Sequence, residues 1–321
     1  MGCSCQYLWK LIREAAGSDA LEYYDPGPAS PPTGQYARHA QGPTPSGNSL
    51  LVVTDVPNTL GVLLDGSGYV SSLFTVSGVT LADPVAAWNG SGVVWIGERD
   101  PLGGLGRVTW RAFNLSGTLL GGFTGTTPAT TFPQNVACDT SGNLVVCNAS
   151  ETERRNTSGT LLNSMPNGGY NLALDSSGNV TIGDGGTGLA SWNSSFSSRW
   201  SVTITGASSQ FGSAADSSGN VFIAYDDTSG SLKLRKFTSS GGTSWTATLP
   251  FSGGSSGVLD VWSDGSNAYL VARDDAGQGR RLKYSSTGSL LWDELIWWSD
   301  GYSPVKTMRG TGSLITYGGV R

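Results

Sequence analysis

The chain has 321 residues, of which 47 are Gly, 38% are apolar and 13% are charged, with a formal charge of −5. The acidic balance excludes nucleic acid as the main partner, because phosphate binding needs a clustered basic face. No run of about 18 apolar residues is present to span a bilayer as a helix, and the steady recurrence of aliphatic and aromatic residues excludes general disorder.

The chain opens on "MGCSCQYLWKLIREAAGS". This stretch lacks the uninterrupted apolar run and small-residue cleavage site of an export signal. "MGCSCQ" approaches the acylation pattern M-G-x-x-x-[ST], but Gln6 stands where Ser or Thr is required. Over 7–16, Tyr7, Leu8, Leu11, Ile12 and Ala15 fall on one helical stripe, which Gly17 ends. So short a helix is unstable alone, so Leu8, Leu11 and Ile12 are expected to dock, either on another subunit or back on the chain's own sheets. The Pro-rich stretch 26–45 reads as a semi-extended spacer. Residues 1–45 are therefore read as an anchoring arm, and 46–321 as one compact domain. The chain's one histidine, His39, falls in the spacer. That leaves Ser–His–Asp or Cys–His catalysis without a well-placed base.

From residue 43 onward the predicted elements are short strands, and two hairpin types alternate. The first type begins weakly with "PTPSGNSLLVVTD" at 43–55 and recurs as "PVAAWNGSGVVWIGER" at 84–99 and "NVACDTSGNLVVCN" at 135–148. It returns as "NLALDSSGNVTIGD" at 171–184, "GSAADSSGNVFIAYD" at 212–226 and "DVWSDGSNAYLVARD" at 260–274. Its turn has a physical grammar: Asp or Asn opens it by accepting backbone N–H groups, and Gly supplies the left-handed residue. The second type appears at 61–76, 107–123, 154–165, 189–204, 233–249 and 281–295, with turns such as "NLSGT", "NTSGT" and "SSTGS".

Two hairpins per period of about 36 to 50 residues give four short strands per repeat, the signature of a β-propeller blade. The predicted class is all-β, a propeller with four-stranded blades. "PVKTMRGTGSLITYGGVR" at 304–321 copies 84–99 and supplies two more strands. Two closures are open. Six blades result if this last hairpin joins the hairpin at 61–76. Seven, the last incomplete, result if the weak start builds a full first blade; "SLLVVTD" is a convincing second strand and favours seven.

The repeated "D-x-S-G-N-hydrophobic" phrase resembles the SBBP-like and NHL-like propeller repeats of bacterial surface and phage proteins, over residues 49–321. The resemblance implies a propeller and says almost nothing of activity, since such folds serve as scaffolds, lectins, receptors and lyases.

D-x-S-G-N has some oxygen spacing of a calcium loop, but it lacks the bidentate Glu at the twelfth position. "GDGGTG" at 183–188 and "GGSSG" at 253–257 lie between strands, whereas a dinucleotide loop or a nucleophile elbow needs a strand-to-helix turn. Cys138 is expected to face a residue near Leu144, which argues against a bond to Cys147. No cofactor is expected.

The loops joining first-type to second-type hairpins carry most of the charge and emerge on one face. They read "GERDPLGGLGR" at 97–107, "ASETERR" at 149–155, "DDTSGSLKLR" at 226–235 and "DDAGQGRR" at 274–281. Asp226, Asp227, Asp274 and Asp275 hold corresponding places in two of them. They read either as local ion pairs with Arg154, Arg155, Lys233, Arg280 and Arg281, or as a docking face for a cell-surface protein or a glycan. Trp95 and Trp110 are expected in the core between blades, while Trp297 and Trp298 in "IWWSDGY" at 296–302 are the better contact candidates. These features predict a non-enzymatic structural or interaction propeller, anchored to other assembly subunits through residues 1–45, as in a phage virion or tail component. The rival expectations are a lectin-like module and a carboxylate-dependent lyase or glycoside hydrolase using the acidic loops.

Overall fold

The computed structural model describes residues 36–39, 49–55, 58–64, 70–76, 85–89, 92–99, 107–126, 135–252, 258–274, 279–296, 306–310 and 313–317. All secondary structure among them is β. The first sheet runs β1 (Tyr36–His39), β2 (Ser49–Asp55), β3 (Asn58–Leu64) and β4 (Val70–Val76). The second runs β5 (Val85–Trp88), β6 (Val94–Arg99), β7 (Arg107–Phe113) and β8 (Leu119–Thr126). The third runs β9 (Asn135–Cys138), β10 (Leu144–Cys147), β11 (Thr152–Arg155) and β12 (Leu161–Met165). The fourth runs β13 (Asn171–Leu174), β14 (Val180–Gly183), β15 (Gly188–Trp192) and β16 (Ser198–Thr203). The fifth runs β17 (Ala207–Ala215), β18 (Val221–Asp227), β19 (Ser231–Phe237) and β20 (Thr243–Ser252). The sixth runs β21 (Val258–Ser263), β22 (Ala268–Arg273), β23 (Gly279–Tyr284) and β24 (Leu290–Ile296). Last come β25 (Lys306–Gly310) and β26 (Ser313–Tyr317), which pair with each other.

Each four-stranded sheet is an antiparallel meander in chain order. The hairpin at 61–76 belongs to the sheet of β1 and β2, and β25–β26 forms a sheet of its own. The first strand of the chain's compact part, β1, comes from the segment that sequence patterning gives to the arm, so His39 is a strand residue pairing with Leu51. The first strands touch in sequence, β1 against β5, β5 against β9, β9 against β13, β13 against β17 and β17 against β21. β25 touches both β21 and β1.

The D-x-S-G-N phrase is a turn that consumes its own carboxylate. Asp139 Oδ1 accepts the backbone N–H of Ser141 at 3.0 Å and of Asn143 at 2.9 Å, and its Oδ2 accepts Asn143 Nδ2 at 3.0 Å. Asp175 makes the same set with Ser177 and Asn179, and Asp216 with Ser218 and Asn220. Gly142 takes φ of 85°, the left-handed conformation that costs an L side chain energy. Both oxygens of each Asp thus accept N–H groups of its own turn. Among the described residues no three His, Cys, Asp or Glu side chains gather to hold a metal.

The cores lie between sheets, which is why second strands such as β10 and β14 are buried on both faces. Trp95 and Trp110 are buried with Val136, Cys138 and Leu144 of the next sheet, as the patterning predicts. Leu189 and Ile204 meet Ala207, Ile223 and Tyr225 between the fourth and fifth sheets. Phe222 and Leu234 meet Trp262 and Leu270 between the fifth and sixth. Cys138 pairs in register with Leu144 and Cys147 with Asn135, and both thiols are free and buried.

Candidate interaction surface

In a four-stranded meander the first and third turns fall at one end of the sheet. The second turn and the exit to the next sheet fall at the other. The first-and-third end is locked by contacts between neighbouring sheets. One carbonyl of the third turn is approached from the previous sheet's outer strand in each case. Trp200 Nε1 donates to Ser239 O at 2.9 Å, Trp245 Nε1 to Ser286 O at 2.8 Å and Asn163 Nδ2 to Ser194 O at 3.1 Å. At the same place in the second sheet stands Gly121, where an added Cβ would lie 2.4 Å from Thr157 O. The Trp200 ring also covers Gly241, whose φ is 87° and whose added Cβ would meet the indole at 2.8 Å.

Cations on third strands tie the first turns down. Lys236 Nζ lies 2.9 Å from Asp216 Oδ2 and over the Phe222 ring at 4.9 Å. Arg154 Nε lies 3.8 Å from Asp139 Oδ2, while its NH2 donates to Gly178 O at 2.6 Å in the next sheet and its NH1 to Ser194 O. Arg154 is 4% exposed, and burial pulls its pKa down against the opposing pull of Asp139 and Asp175. This corrects the reading of 149–155 as a charged loop over its second half; residues 149–151 remain part of the connection between β10 and β11. Thr152–Arg155 is a strand, and Arg154 is an inter-sheet tie to Gly178 O and Ser194 O, 24 and 40 residues along the chain.

At the other end sit the predicted acidic residues. Asp226 Oδ1 accepts Ser208 Oγ–H and Ser209 N–H, each at 2.7 Å, which closes β17 onto β18. Asp227 Oδ1 accepts the N–H groups of Ser229 and Ser231 at 2.9 Å, and Lys233 Nζ lies 3.4 Å from its Oδ2. Hydrogen bonds, led by the Ser229 hydroxyl, hold the Asp227 carboxyl down at about 2. Asp274 is 7% exposed and lies 3.5 Å from Arg280 NH1. Arg280 grips Asp293 with Nε–Oδ1 of 2.9 Å and NH2–Oδ2 of 2.7 Å, and Arg281 pairs with Glu294. Asp226 and Asp227 thus sit together on the fifth sheet and Asp274 on the sixth. Asp293 and Glu294, on β24, were not singled out by sequence. Leu8, Leu11, Ile12, Asp275, Trp297, Trp298 and the "GGSSG" stretch lie outside the described residues.

The rim is different in kind. Every four-stranded sheet shows a register shift at the same place, just before the last residue of its third strand. The extra outer-strand residue is Ser71, Leu120, Leu162, Arg199, Ser244 or Leu291 in sheets one to six. Leu119 and Leu120 are 55% and 45% exposed, Leu161 and Leu162 44% and 50%, Leu290 and Leu291 42% and 53%. The signal lay in plain sight as "SGTLL" at 116–120 and 158–162 and "TGSLL" at 287–291. It escapes a periodicity reading because a bulge breaks the alternation of faces.

Comparison with known proteins bears on the fold. No protein-family model and no curated protein matches the chain. Among solved structures, a chain described as "KlHsv2 with loop 6CD replaced by a Gly-Ser linker" is similar with a TM-score of 0.64 at 8% identity, covering 88% of both chains. A chain from a crystal structure of a mitotic checkpoint complex is similar with a TM-score of 0.57 at 13% identity, covering 93% of this chain and 99% of that one. The fold is a β-propeller. Identities this low carry the architecture and nothing of the activity. No helix among the described residues is long and apolar enough to cross a membrane.

Proposed function

We propose that this protein is a non-enzymatic interaction propeller, held in a larger assembly by the segment before β1. The observation that carries the reading is the state of its acidic groups. Asp139, Asp175 and Asp216 are used up by turns, and Asp226, Asp227, Asp274, Asp293 and Glu294 by hydrogen bonds and ion pairs of the scaffold. The carboxylates are tied into the frame, while apolar pairs face solvent on the rim. Both features favour recognition by surface over chemistry in a cleft.

Two finer points belong to the same proposal. The ring of first-strand contacts, with β25 between β21 and β1, favours seven blades over six. The low charge, the Gly- and Ser-rich turns and the apolar stripe at 7–16 favour a virion or tail component of the SBBP/NHL-like kind. Removing residues 1–35, a cut that spares β1, tests the tether. The truncated chain is expected to fold as the same disc and to be left out of its assembly. Normal incorporation of the truncated chain sinks the reading.

A further inference from the structure

We infer that the leucine pairs on the rim of the second and third sheets receive the 7–16 segment of a second copy of this chain. The inference rests on the reading of residues 1–35 as an assembly arm and names the surface that the arm meets.

The bulge belongs to the fold, since the same register shift occurs in all six four-stranded sheets. The leucines do not. Ser71, Arg199 and Ser244 fill the bulge position in the first, fourth and fifth sheets, so the architecture is satisfied by polar side chains there. Leu120 and Leu162 therefore put apolar area in water at sites where the scaffold asks for none. Their neighbours Leu119 and Leu161 enlarge each patch.

The two pairs are carried on elements that meet. Gly121 follows Leu120, and an added Cβ on it would lie 2.4 Å from Thr157 O and 3.0 Å from Ser158 Cα, in the turn that leads to Leu161. The outer strand of one sheet thus abuts the turn of the next with no side chain between them. The bulges also twist the outer strands away from ladder pairing, so an added β-strand is a poor occupant. A helix offering apolar side chains on one face is a good one.

By spacing in the sequence, Tyr7, Leu8, Leu11 and Ile12 would fall on such a face if 7–16 is helical. Residues 17–35 separate it from β1 and span up to about 60 Å when extended, enough to reach a neighbouring molecule.

The test uses the full chain with Ile12→p-benzoylphenylalanine as a photo-cross-linker, in an equal mixture of isotopically heavy and normal protein. Mixed-isotope cross-links are expected on residues 119–126 and 161–165. They should fall at least tenfold in the Leu120→Asp/Leu162→Asp variant and stay unchanged in Ser244→Asp, the same bulge position on the fifth sheet. Should the aspartates impair folding, Leu120→Ser/Leu162→Ser installs the residue type that other blades carry there. Cross-links within single chains only, cross-links elsewhere, none at all, or indifference to the leucine changes each overturn the inference. If truncation at residue 35 leaves assembly intact, the arm reading itself fails. If truncation abolishes assembly while the cross-links map elsewhere, only the rim assignment fails.

Discussion

Lys236 Nζ and Asp216 Oδ2 stand 2.9 Å apart with both side chains almost wholly buried. The same carboxylate already accepts the N–H groups of Ser218 and Asn220 and the amide of Asn220. The ammonium therefore completes a turn that is itself part of the inter-sheet packing.

Removing one partner leaves the other charge buried and uncompensated, which costs about 3–5 kcal/mol. Lys236→Met is expected to lower unfolding stability by that order in urea titrations. Lys236→Met combined with Asp216→Asn should recover much of the loss, because the Asn side chain still caps the turn. A double variant as unstable as the single one would remove the ion pair from this account.

Gly241 and Gly230 separate two costs that usually arrive together. Both hold positive φ, 87° and 79°, but an added Cβ at Gly241 meets the Trp200 indole at 2.8 Å, while Gly230 has nothing within 4 Å. Gly230→Ala should cost the left-handed penalty alone, about 1–2 kcal/mol. Gly241→Ala should cost clearly more and disturb tryptophan fluorescence. Equal melting temperatures for the two variants would refute the clasp.

Tyr284 is 2% exposed and its hydroxyl has no hydrogen-bond partner among the described residues. Burial, helped by the nearby Asp293, pushes its pKa up to about 12. A folded-state pKa above the unfolded value of about 10 means that stability is intact below pH 10 and is lost as pH rises toward 12. Tyr284→Phe is expected to gain about 1 kcal/mol at neutral pH, by sparing an unpaired hydroxyl. It should also flatten the stability profile between pH 10 and 12, as read by chemical denaturation. A steeper alkaline loss in the variant contradicts this.

Cys138 and Cys147 are buried, and desolvation raises both thiol pKa values, that of Cys138 well above its ordinary value. Thiolate is the reactive form. In a Cys3→Ser/Cys5→Ser background, no thiol is expected to react with an aromatic disulfide reagent until the protein unfolds. Rapid labelling of the folded protein would show that the third sheet parts from its neighbours more readily than their packing implies.

Much of this architecture was legible from the chain because its turns are local. Asp139, Gly142 and Asn143 sit within four residues of one another, so composition and spacing state the turn outright. The strand Tyr36–His39 was hidden in a Pro-rich stretch, since four residues carry too little alternation to read. Arg154 was misplaced for a related reason. In "ETERR" its charge looks like a loop, while the groups that make burial tolerable, Gly178 O and Ser194 O, lie in another sheet.

The amino-acid sequence by itself determined the hairpins, their order and their repeat, because each turn is closed by hydrogen bonds between near neighbours. The tertiary structure alone decided which side chains join one sheet to the next. Trp200 finds Ser239, Trp245 finds Ser286 and Arg154 finds Ser194, pairs 39, 41 and 40 residues apart. Contacts spaced by one whole repeat exist only once sheets stand side by side. The same stacking leaves the leucine pairs outside, because they sit on the outer strands of their sheets, beyond the cores that neighbouring sheets share.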